Sequence, residues 1–99
     1  MFIHVKNAKY LEDYKIEVEF NNGEKGIADL SDDLYGEVFE PLKDKNLFSK
    51  IKVDKDLETV TWENGADFAP EYLYYKSFKD IKNLEPQFKQ WGYPSLKKS

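Results

Sequence analysis

Tyr14-Lys15-Ile16-Glu17-Val18-Glu19-Phe20, followed by Asn21-Asn22-Gly23-Glu24, is the stretch that decides the fold. Tyr14, Ile16, Val18 and Phe20 alternate with Lys15, Glu17 and Glu19. A period of two places the apolar side chains on one face of a strand and the charged ones on the other. Such a strand covers a core on one side only, the usual arrangement in an antiparallel sheet. Asn and Gly accept the positive φ of tight hairpin turns, so Lys25 to Leu30 is predicted to pair back antiparallel. Gly26, inside that segment, is expected to mark a bulge.

Working outward, Ile3 to Tyr10 mixes β-branched and aromatic residues with polar ones and reads as a first strand. Ser31-Asp32-Asp33-Leu34 reads as a helix start, with Ser as cap and acids at the positive end, soon ended by Gly36. Val38, Phe39, Leu42, Leu47 and Phe48 recur at near-helical spacing around Pro41, which predicts one or two short helical pieces between residues 38 and 50. Ile51 to Asp54 and Glu58 to Trp62 read as two strands joined by a turn at Asp54-Lys55-Asp56. Asn64-Gly65 is a second turn signal, and Pro70 suits the first position of a helix over residues 70–76. Beyond it, Phe78, Ile81, Leu84, Phe88 and Trp91 suggest one helical face. Pro86 reads as an interruption of that face, Gly92 and Pro94 as its end, so helix is expected over residues 77–84 only.

The expected fold class is therefore α+β: a small antiparallel or mixed sheet of about five strands, short helices, and a partly helical C-terminal extension. The expected organisation is a domain over residues 1–76 and an extension over residues 77–99, packed on the domain or on a partner. A chain of 99 residues suits a single domain. Its aromatic content of 16% supplies the apolar area that so small a core needs.

Composition narrows the chemistry. Mean hydropathy is −0.75, and no stretch approaches the roughly 20 apolar residues of a membrane helix. The N-terminal residues lack the pattern of a secretory signal, and there is no cysteine, which is compatible with the cytoplasm. All 15 cations are lysine. Without the planar fork of arginine, and with a net charge of −4, sequence-specific reading of DNA is disfavoured. The charge is uneven: residues 1–76 carry 10 Lys against 17 acids, and residues 77–99 carry 5 Lys against 2 acids. An acidic body thus precedes a basic, aromatic tail.

No catalytic set emerges. His4 is the only histidine and reads as a surface or half-buried strand residue. No serine sits in an elbow motif such as G-x-S-x-G. Asp54-x-Asp56-x-Glu58 begins like a calcium loop, but Thr59 stands where Gly is needed and Gly65 where the bidentate Glu belongs, so a solvated hairpin turn is expected. Asp29, Asp32, Asp33 and Glu37 are four acids in nine residues, which helix-start electrostatics explains in part. Trp62 is expected in the core, and Asp67 on turn or helix amides. The candidate interaction surface comprises Asn64 and Asp67 near the turn, and Phe88, Trp91 and Tyr93 in the tail, because exposed aromatics anchor interfaces.

The order of a hairpin, "DLSDDL", "GEVFEPLKD", "LFSKIKVD" and "TVTWENGADFAPEYLY" resembles the small bacterial DUF2442 domain over residues 3–75. The resemblance implies an α+β fold and no stated function. It also implies an interaction or regulatory role, since some members are fused to a helix-turn-helix DNA-binding domain and others sit in two-gene, toxin–antitoxin-like modules. Ala69 departs from the pattern, which has a capping Ser there, and a cap is worth about 1 kcal/mol. The leading expectation is a non-catalytic interaction or regulatory module that needs no metal or cofactor and works through a protein partner or self-association. The alternatives are weak nucleic-acid binding through the tail, with Lys79, Lys82 and Lys89 assisting, and a carboxylate-dependent enzyme.

Overall fold

The computed structural model describes residues 2–93. Three strands, β1 (Val5–Glu12), β2 (Lys15–Phe20) and β3 (Lys25–Asp29), form an antiparallel meander in the order β1-β2-β3. Ile16, Val18 and Phe20 of β2 are fully buried while Lys15, Glu17 and Glu19 are half-exposed, as period-two alternation requires. Gly23 at φ +88 makes the β2–β3 turn, and Asn22 Oδ1 accepts the Glu24 amide at 3.0 Å. A second hairpin, β4 (Lys52–Asp54) and β5 (Thr59–Thr61), forms a separate two-stranded sheet. It abuts the first through Val5, whose amide donates to the Glu58 carbonyl at 2.9 Å. The five strands thus divide into two sheets, and every pairing among the named strands is antiparallel.

Helical pieces fill the connections. Short 3-10 turns lie at Ser31–Asp33 and Glu40–Lys43, and α1 (Lys45–Phe48) follows. Asp44 caps α1 by accepting the Asn46 amide at 2.9 Å. Helix α2 (Pro70–Phe78) begins with Pro in its first turn and lies on the inner face of the meander. Its Leu73 and Tyr74 are buried against the strand face that carries Phe20, with the Phe20 and Tyr74 rings edge to face at 5.1 Å. A last 3-10 turn, Lys82–Leu84, leads into α3 (Glu85–Gln90).

Two local expectations are corrected. Gly26 marks no bulge: β2 and β3 pair without a register shift, and the irregularities lie in β1, between Val5 and Asn7 and between Tyr10 and Glu12. Gly26 is instead where α2 comes down on the sheet, since a Cβ there would stand 2.6 Å from the Cβ of Ser77. Ser77 Oγ, sealed near that contact, has no hydrogen-bond partner among the described residues. Nor does Pro86 merely interrupt a helix. It occupies the first turn of α3, where its missing amide proton costs nothing. The apolar face foreseen from Phe78 to Trp91 is consequently split, and Ile81, between the two helices, is 46% exposed.

Candidate functional site

A cleft of about 420 Å³ opens between the start of α2 and the segment that follows β3. Tyr35, Phe39, Phe68, Tyr72 and Tyr93 supply its rings, and Asp33 and Asp67 its carboxylates. The rings form a run of contacts. Phe39 meets Phe68 at 4.8 Å between centroids, and Phe68 stacks on Tyr72 at 5.9 Å. Tyr72 meets Tyr93 edge to face at 5.5 Å. Tyr35 stands apart at the mouth and is 71% exposed.

Asp33 anchors one wall. It accepts a hydrogen bond from the Tyr72 hydroxyl and pairs with the Lys76 ammonium at 3.1 Å. Both members of that ion pair are nearly buried, with side chains 12% and 11% exposed. The Lys76 ammonium also lies 6.0 Å from the centroid of the Tyr72 ring. Burial first, and then the bond to Asp33, push the ionisation of Tyr72 well above the usual tyrosine range. The acid foreseen as helix-start electrostatics is thus half of a buried pair tying the Ser31–Asp33 turn to α2. Asp29 does stay local: its Oδ1 accepts the Ser31 amide at 3.0 Å, which holds its carboxyl below the usual range.

The residues singled out from sequence separate. Asp67 and Tyr93 come together in the cleft. The Asp67 carboxylate makes no hydrogen bond or ion pair among the described residues, so it does not serve turn or helix amides. Asn64 acts as a strut: its Nδ2 donates to the Val38 carbonyl at 3.0 Å and its Oδ1 accepts the Ala66 amide at 3.1 Å. That clamp holds the chain beside Phe39. Phe88 is buried, 5.2 Å from the Tyr75 ring and 6.3 Å from Tyr74. Trp91 is half-buried on the same side of α2, 6.1 Å from Tyr74. Lys97 and Lys98, part of the basic tail, lie outside the described residues.

Sequence reasoning passed over Tyr35, Phe39 and Tyr72 as site residues. Tyr35 carried a signal, being an aromatic residue beside Gly36 with no place in any periodic run. The remaining polar clusters have structural uses. His4 Nδ1 meets Glu58 at 3.1 Å, and Asp54 Oδ1 accepts the Asp56 and Leu57 amides at 2.8 and 3.0 Å, which closes the β4–β5 turn. Among the described residues no three acidic or histidine side chains gather closely enough to hold a metal ion. No helix among them is long and apolar enough to cross a membrane.

No curated protein matches the chain. A crystal structure of NE0471 from Nitrosomonas europaea, described as a candidate DNA-binding protein, superposes with a TM-score of 0.72 at 15% identity. The alignment covers 95% of this chain and 64% of that one. At that identity the likeness is one of fold, and the chain spans less than two thirds of the other protein's length. The family described as a protein of unknown function, DUF2442, matches residues 5–79, which is most of the chain and takes in both hairpins and α2. The chain belongs to the DUF2442 family.

Proposed function

We infer that the chain is a non-catalytic protein-interaction module, and that the aromatic cleft beside α2 is where a partner docks. One observation carries this reading: the cleft leaves Tyr35 71% exposed in the same lining as an unpaired Asp67, in a fold whose other rings, Phe2 apart, pack on one another. Exposed aromatic groups around a concave, mostly apolar site are the common anatomy of a recognition surface. A two-gene, toxin–antitoxin-like pairing would supply such a partner from a neighbouring gene.

The test is site-specific photocrosslinking. A benzophenone side chain at Tyr35 is expected to trap one protein, and the same group at Lys9, on the far face of the sheet, none. The trapped protein, purified, is then expected to bind the wild type and to lose affinity at least tenfold for Tyr35→Ala. Equal adducts at both positions, or none at Tyr35, would remove the cleft from consideration.

A second reading is nucleic-acid binding, favoured by the description of NE0471. Two features weigh against placing it in this chain. About a third of NE0471 lies outside the match, and the description can belong to that portion. Phe88 and Trp91, the rings offered for base stacking, face α2. Gel shifts on single-stranded RNA and DNA at low salt decide between the readings, and tight, salt-dependent binding would favour this one.

A further inference from the structure

Resting on that docking reading, we propose that the cleft selects a positively charged side chain, an alkylammonium or guanidinium group presented by a basic segment of another protein. The faces of aromatic rings carry negative potential, and cations are drawn to them most strongly where water is scarce. The cleft combines five such rings with Asp67, a carboxylate with no partner among the described residues. The wall of the cleft already shows the arrangement at work. Lys76 is held between the Tyr72 ring, at 6.0 Å, and the Asp33 carboxylate, at 3.1 Å. Asp67 and the exposed Tyr35 share the lining of the cleft and offer the same two components, a ring and a carboxylate.

The charges facing the cleft agree in sign. Lys76 is neutralised by Asp33, and the start of α2 carries Glu71 in its first turn, which offsets the partial positive charge of the uncapped amides at Ala69. The surrounding body is acidic, with residues 1–76 holding 17 acids against 10 lysines, so a basic segment is also steered toward it. A volume of about 420 Å³ lies within the roughly 300–1,000 Å³ of ordinary small-ligand sites and admits one long side chain with its backbone. A neutral apolar segment would leave Asp67 facing a desolvated surface, and an acidic one would meet like charge.

The experiment is a titration of the full chain, followed by amide ¹H–¹⁵N spectra, with the acetylated methylamides of arginine, lysine, norleucine and glutamate. The two cationic probes are expected to shift the amides of Tyr35 and of residues 67–72. They should bind about fivefold more tightly than norleucine, the advantage expected of one exposed charge–ring and charge–charge contact. Asp67→Asn is expected to erase that advantage while leaving the spectrum elsewhere unchanged, and Tyr35→Leu to reduce it. Raising the salt should weaken the cationic probes alone. Equal binding of norleucine and arginine overturns the assignment, even where crosslinking at Tyr35 still traps a partner. If Lys97→Gln with Lys98→Gln raises probe affinity tenfold, the occupant is the chain's own tail. If light scattering finds a dimer that Asp67→Asn dissociates, it is a second copy. Either result also overturns the proposal.

Discussion

Two depressions of the described surface differ in the charge they present. One lies on the outer face of the meander, about 220 Å³, lined by Asn7, Lys9, Glu17, Glu19 and Lys25. There lysines and glutamates of both signs stand side by side: Asn7 donates to Glu19 at 3.0 Å, and that bond is the main reason the Glu19 carboxyl is held below its usual range, with Lys25 adding to the effect. The other is the cleft beside α2. Its inner wall is sealed by Asp33, Tyr72 and Lys76, while its mouth keeps Asp67 unpaired and Tyr35 in water. A surface whose charges of both signs offset one another presents little net charge to its surroundings. A surface that withholds one charge and one ring from its own interior has both available.

The largest way to break the contrast is at Asp33. Asp33→Ala leaves the Lys76 ammonium nearly buried without its carboxylate, and the Tyr72 hydroxyl without its acceptor. Removing one partner of a buried pair costs about 3–5 kcal/mol, which is expected as a fall in the urea midpoint with an unchanged slope. Lys9→Ala on the outer face is the control, expected to stay within about 0.5 kcal/mol. Equal effects would mean the two depressions are alike.

Alkaline pH sharpens the contrast. Tyr72 and Tyr74, whose hydroxyls donate to Asp33 and Glu24, both lie on α2. Tyr74, donating to Glu24 at 2.6 Å, is pushed up to about 12 from the ordinary 10, by burial first and then by that carboxylate. A raised ionisation in the folded state means that neutral Tyr74 stabilises the fold fully below about pH 10, and that this contribution is lost as the pH rises to about 12. Tyr72 and Tyr93 shift in the same direction. The stability gap between wild type and Tyr74→Phe is therefore expected to shrink across pH 10–12 in urea titrations. A constant gap would refute the linkage.

The smallest effect concerns the edge of the cleft. Ala69 precedes α2 with an extended backbone and offers its amides no side-chain acceptor. Ala69→Ser is expected to raise stability by about 1 kcal/mol, read as a higher thermal midpoint.

These contrasts also explain what the sequence could and could not reveal. The β2 alternation and the Asn-Gly turns were legible because a strand and a tight turn are set by residues one to four positions apart. Short-range pattern likewise located the helix that Pro70 opens. Gly26 was misjudged because its constraint comes from Ser77, about fifty residues away in the chain. Pro86 was misjudged because a proline that ends one helix and a proline that begins the next look identical until the intervening turn is placed. The cleft assembles Asp33, Asp67 and Tyr93 from three distant segments, so no local period could announce it. Tyr93 was singled out as an aromatic residue of the tail and Asp67 as a polar residue near the Asn64-Gly65 turn, and both line the cleft. Asn64 was chosen on the same grounds, and its amide turned out to be committed to the backbone.

The seat of α2 on Gly26 makes the helix a lever. Its C-terminal end rests on bare backbone through Ser77, while its N-terminal end carries Ala69 and Tyr72 into the cleft, with nine residues, roughly 13 Å, between the helix ends. A single methyl group at position 26 would meet the Cβ of Ser77 at 2.6 Å, so the resting end would have to shift. The helix is thus seated, at the end opposite the cleft, by an atom that is not there.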